Sequence, residues 1–261
     1  MNQSSSEFKP KVFVSGSSWA RGEWAAGNPV VQHKGIKQYF ADAGYTVVDA
    51  SQARSYHSRV INYLDGKLAS QYKDNDIVFF IMADPLLDLI MPELAKLNLK
   101  RDSDAKNLTE FTKAIKESGG LINLIRQQQD RIYSQLDSVA KKYHATIHCI
   151  GGTYNVNTKL LDKYSNLVPT VISWIYLLAG QYQEHPGTDD PEFGITYTWD
   201  IDYIDLSTYS PEFANQVQQE FDAISDSTRI MNELIFHPDG LHPNRQGHKI
   251  LYDHLVKLLN L

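Results

Sequence analysis

The chain has 261 residues, 42% of them hydrophobic, with 25 Lys or Arg against 31 Asp or Glu and a formal net charge of −6. That length suits one well-buried α/β domain, and an acidic balance with no cluster of Lys or Arg argues against a nucleic-acid or anionic-membrane partner. The sole cysteine, Cys149, lies in an apolar run, which excludes an internal disulfide and so a disulfide-stapled secreted scaffold.

Residues 1–10 carry neither the charged start nor the apolar core of an export signal, and no stretch approaches the ~20 apolar residues of a membrane span. A loose tail over 1–10, one domain over 11–261 and a cytoplasmic location are the expectations. Lys11-Val12-Phe13-Val14 then predicts a strand meeting a tight turn at Ser15-Gly16-Ser17-Ser18-Trp19, a place that can hold a serine at a sheet edge. Ser18 is the candidate nucleophile. Residues 20–31, rich in Gly, Ala, Trp and Pro, show no period and predict an irregular loop, with Trp19 and Trp24 read as core before pocket wall.

His33 to Ala43 has helical spacing and Gly44 as its stop; Thr46 to Val48 predicts a second strand and Arg59 to Tyr72 another helix. Asp76 to Met82 is apolar throughout, the pattern of a central parallel strand buried on both faces, and it ends at Ala83-Asp84-Pro85. Residues 85–107 predict a loop with a short helix over the ligand-binding edge, suited to a lid. Leu108 to Lys116 and Leu121 to Lys142 predict packing helices separated by Ser118-Gly119-Gly120. Thr146 to Ile150 is the fourth strand and runs into Gly151 to Asn157. Val168 to Leu178 is the fifth, although Trp174 to Leu178 equally suits a helix.

Asp200, Asp202 and Asp205 read as a solvated acidic edge rather than a metal site, and Pro211 to Glu233 as a long amphipathic helix. After it comes His237-Pro238-Asp239-Gly240-Leu241-His242-Pro243, which its prolines keep non-helical, and then a terminal helix. Asp239 can accept from one ring nitrogen of His242 and leave the other free to take a proton, the arrangement of a base and its orienter. His237 reads as a loop residue and His248 as a helix-start residue.

Gly16-Ser17-Ser18 after the first strand and Asp239-Gly240-Leu241-His242-Pro243 before the last helix together resemble the SGNH (GDSL-like) hydrolases. The resemblance implies a five-stranded parallel sheet in a three-layer α/β/α sandwich, flavodoxin-like, with strand order 2-1-3-4-5. It also implies a Ser18-His242-Asp239 triad acting on an ester, such as a small acyl group on a carbohydrate or lipid, without metal or cofactor. The chain departs from the family pattern at three places. Ser17 replaces an aspartate, Asp49 to Ser55 holds no glycine, and Met82-Ala83-Asp84 stands where the family has Gly-x-Asn-Asp. An ionised Asp84 beside a developing oxyanion would oppose catalysis where an amide donor contributes about 3 kcal/mol. Hence Asp84 is protonated, points elsewhere or binds a substrate cation, or the site does not perform ordinary acyl transfer. Asn155 or Asn157 can supply the missing amide, a turn or helix-cap role being the commoner one. Two other readings remain: a binding or structural module on a decayed scaffold, and a metal-dependent hydrolase using His237, Asp239 and His242.

Overall fold

A computed structural model describes residues 9–25, 28–53, 55–89, 113–152, 154–178, 242–243 and 245–261. In chain order the elements are β1 (Lys11–Gly16), α1 (Ser18–Arg21), β2 (Glu23–Ala25), β3 (Asn28–His33), α2 (Ile36–Asp42), β4 (Thr46–Ser51) and α3 (His57–Gln71). They continue with β5 (Ile77–Met82), α4 (Leu121–Tyr143), β6 (Ile147–Gly151), α5 (Thr158–Leu161), β7 (Leu167–Val171), α6 (Trp174–Leu178) and α7 (Arg245–Leu259).

The main sheet has five strands in the order β4-β1-β5-β6-β7. Every pairing in it is parallel, so its strands, taken in chain order, lie 2-1-3-4-5 as the resemblance implies. The composition of β5 follows from its middle position. Val78, Phe80 and Met82 face one apolar layer with Val60, Leu64 and Leu68 of α3 and Ile132, Leu136 and Ala140 of α4. Phe79 and Ile81 face the other, with Ile36 and Phe40 of α2, Trp174 of α6, and Leu251 and Leu255 of α7. A strand covered on both faces has no polar side, and each such large side chain gains about 1.5–3 kcal/mol from burial. Cys149 on β6 belongs to the first layer and is fully buried, which pushes its thiol pKa up to about 12.

Two segments differ from the sequence expectation, and a third settles an alternative that the sequence leaves open. Residues 20–31 are not an irregular loop: α1 ends at Arg21, and β2 and β3 pair antiparallel as a separate ribbon. Val30, Val31 and Trp24 supply strand propensity, and a proline is tolerated in a two-stranded ribbon, both of whose strands are edges. Helix α2 starts at Ile36 rather than His33, because His33 belongs to β3 and Gly35 turns the chain at φ 60°. The run from Val168 to Leu178 is both things, strand β7 followed by α6. No helix among the described residues is long and apolar enough to cross a membrane.

The start of α3 is fixed from outside. Asp88 accepts from the backbone N–H of His57 at 2.5 Å and of Ser58 at 3.1 Å, two of the donors a helix start leaves unpaired. His57 is itself buried: its Nε2 accepts from the Ala83 N–H at 3.2 Å, so its proton sits on Nδ1, facing Asp88 at 3.2 Å. The loop after β4 is thereby tied to the loop after β5.

Candidate active site

Because β1, β4, β5 and β6 run parallel, the loops that follow them leave one edge of the sheet. Ser18 lies there as the first residue of α1, partly exposed, with Ser17 buried beside it. The turn that delivers it is tight. Gly16 has φ 142°, and a Cβ at that position would stand 2.7 Å from the Ile81 carbonyl oxygen of β5. Its own carbonyl accepts from the Gln52 N–H at 2.9 Å, which seats the β4 loop alongside. Trp19 is 3% exposed and meets Trp174 edge-on at 5.2 Å between ring centres, a core position as expected.

His242, partly exposed, precedes buried Pro243 and the first turn of α7. That turn is gripped by β2. The Glu23 side chain is 7% exposed; Oε2 accepts from the Arg245 backbone N–H at 2.5 Å and from Nε at 3.1 Å, while Oε1 accepts from Nη2 at 2.9 Å. Hydrogen bonds from Arg245 hold the Glu23 carboxyl below the usual carboxylate range despite burial. Tyr39 adds a bond from its hydroxyl to the Arg245 carbonyl at 2.9 Å, and Trp174 one from Nε1 to the Gly247 carbonyl at 3.3 Å. The clamp therefore joins a residue just past Ser18 to one just past His242 across 222 positions of sequence.

Neither Glu23 nor Arg245 was singled out by sequence reasoning. A signal existed: an arginine at the first position of a helix opposes the helix dipole and calls for a carboxylate partner. His248 lies in the first turn of α7, as read, but it is wholly buried. Its ring meets Trp174 edge-on at 4.9 Å, and a Cβ on Gly35 would lie 2.5 Å from its Nδ1. Burial, with the charges of His33 and Lys37, pushes its pKa down to about 3, so it stays neutral as a core side chain.

Asp84 is 4% exposed at the end of β5, and its Oδ1 accepts from the Leu86 N–H at 2.8 Å, closing a local turn of the Asx kind. Tyr154, from the loop after β6, is close enough that Asp84 adds to burial in raising the phenol pKa well above its usual value. Asn155 is 8% exposed, and its backbone carbonyl accepts from Gln129 Nε2 at 3.3 Å. Asn157 caps α5, its Oδ1 accepting from the Leu160 N–H at 3.1 Å. Several backbone donors at this edge are engaged: Ala83 N–H with His57, Gly152 N–H with the Met82 carbonyl at 3.1 Å, and Val156 N–H with the Ile172 carbonyl at 2.9 Å.

Asp239 and His237, the 90–107 part of the expected lid, the 108–112 start of the helix expected after it, the acidic residues Asp200, Asp202 and Asp205, and the expected Pro211 to Glu233 helix lie outside the described residues. Among the described residues no group of three or more His, Cys, Asp or Glu could hold a metal ion.

No protein-family model matches the chain, and no curated protein sequence matches it. Among solved structures, a lipase/acylhydrolase from Enterococcus faecalis is similar over 95% of this chain and 94% of its own, at 13% sequence identity and a TM-score of 0.38.

Proposed function

We propose that the chain is a serine hydrolase of carboxylic esters. The observation that carries the reading is the meeting of the two ends of the chain at one sheet edge: Ser18 follows β1, and Glu23, just beyond it, holds the helix that His242 leads into. In the proposed reaction Ser18 Oγ attacks the ester carbonyl while His242 takes its proton and Asp239 keeps the imidazole oriented. The tetrahedral oxyanion is held by the Ser18 N–H and a second donor, for which the Asn155 side chain is the candidate. Collapse breaks the acyl–oxygen bond, and His242 returns the proton to the leaving alcohol. A water, deprotonated by His242, then releases the acid and restores Ser18. The substrate class is a small acyl group on a carbohydrate or lipid.

A specific observation favours a second reading, a binding module on the same scaffold. The Ala83 N–H is engaged by His57 and an acidic side chain stands at Asp84, so the β5 loop offers less to an oxyanion than an asparagine would. Labelling with a fluorophosphonate, which traps an activated serine whatever the natural substrate, separates the two. The hydrolase reading expects labelling of the wild type and none of Ser18→Ala or His242→Ala. A folded wild type that resists the probe would shift the conclusion to the binding module.

A further inference from the structure

A groove of about 630 Å³ runs along the open edge of the sheet, between β4 and α3. Arg21, at the end of the single turn that Ser18 begins, stands at this groove with Gln52 and Ser55 of the β4 loop. Residues three apart on a helix lie on one face, so Ser18 and Arg21 share a side of α1. From that end the groove follows Arg59, Tyr63 and Lys67 of α3, at four-residue spacing, which puts about 12 Å between the first and last of them along the helix.

The charge of this lining is one-sided. Asp49 is the acid that borders the groove, and it is already taken: its Oδ2 pairs with the buried Lys37 ammonium at 2.7 Å, and its Oδ1 accepts from the Ser51 N–H at 2.9 Å and hydroxyl at 2.5 Å. Arg21, Arg59 and Lys67 therefore outnumber the acids of the groove, on a chain whose net charge is −6. A concave, cation-lined site on an acidic protein focuses the field on anions that the rest of the surface repels. Tyr63, 37% exposed, lies between the two cations of α3, with the Lys67 ammonium 5.1 Å over the centre of its ring.

We propose that this groove holds an extended, multiply anionic substrate, an acyl-bearing acidic glycan by preference, with its ester reaching Ser18. The inference rests on the hydrolase reading and adds the substrate's charge to it. The cations are scattered at positions 21, 59 and 67 and form a cluster only when α1 and α3 pack beside β4, so the sequence carries no basic run to announce them.

The test uses the Ser18→Ala chain in titration calorimetry with trigalacturonate, inorganic tripolyphosphate and the neutral trimer maltotriose. Trigalacturonate is expected to bind, maltotriose not. Binding should weaken about five- to tenfold in Arg59→Gln/Lys67→Gln and also at about 0.5 M NaCl. The control Lys142→Gln/Lys163→Gln removes equal charge at cations paired with Asp65 and Asp130, away from the groove, and should change nothing. In the wild type, trigalacturonate should also slow fluorophosphonate labelling of Ser18. Tripolyphosphate binding tighter than trigalacturonate would overturn the glycan assignment and leave the groove a phosphate site. Failure of both anions to bind, equal loss in the control, or tighter binding of a single-stranded oligonucleotide would overturn it. Absence of labelling with groove-dependent binding intact would instead remove the hydrolase reading and leave an anion-binding module.

Discussion

Glu23 and Arg245 form one unit: a nearly buried carboxylate receives the backbone N–H that opens α7 and two guanidinium N–H groups of the same residue. The first bond caps the helix and the other two neutralise the cap. Arg245→Ala leaves the carboxylate without its cation and is expected to cost about 2–3 kcal/mol in urea unfolding. In the proposed esterase it should also lower kcat about tenfold or more with little change in KM, because His242 loses its anchor and the substrate does not. Arg245→Lys keeps the backbone bond and one charge and should recover part of both. Exchanging the two side chains should rescue neither, since an arginine at position 23 cannot accept the backbone N–H.

The same clamp has a pH signature. The folded pKa of Glu23 lies below its unfolded value, so its contribution is full above the unfolded pKa and is lost as pH falls through the folded one. Glu23→Gln should be less stable than wild type at neutral pH and approach it in acid, which urea midpoints at several pH values would read.

His248 acts earlier in the acid range. Its pKa falls from 6.5 to about 3 on folding, so the unfolded chain binds the extra proton between those values, and stability declines as pH drops below about 6.5. From neutrality to about pH 5 the expected loss from this residue is about 2 kcal/mol. His248→Gln should start lower, from lost packing on Trp174, yet vary less over that interval.

Gly35 is the partner of that ring. Its φ of 60° and the 2.5 Å approach to His248 Nδ1 leave no room for a methyl group. Gly35→Ala should cost about 1–3 kcal/mol by thermal or urea unfolding, whereas Gly66→Ala, where an added Cβ meets nothing within 4 Å, should be neutral or stabilising.

Asp88→Asn removes the charge that receives the start of α3 and should cost about 1–2 kcal/mol. Because His57 passes that contact on to the Ala83 N–H, amide exchange at Ala83 should speed up in the variant, more than at the Gly152 N–H.

The parts legible in the sequence were those with a local cause. Six apolar residues in β5 could only be a strand covered twice, and Gly44, with φ 86°, ends α2 where a residue without a Cβ was needed. The ribbon of β2 and β3 escaped because β2 is only three residues long and the composition of the stretch resembles a loop. The clamp escaped because nothing local joins positions 23 and 245, and the groove because its cations are neighbours only in space. Asp84 shows the opposite case. Its identity was plain, while its hydrogen bond to the Leu86 N–H depends on a turn that sequence alone leaves open.

Cys149 supplies a reporter that no engineering has to install. Its sulfur is shielded on all sides, and its thiol, with a pKa pushed up to about 12, holds almost no thiolate at neutral pH. A thiol reagent can modify it only when β6 separates from the helices above it, and with one cysteine in the chain each modified molecule gains a single mass increment. The rate at which that increment appears counts openings of the central layer, independently of any substrate, and so gives every variant above a common clock.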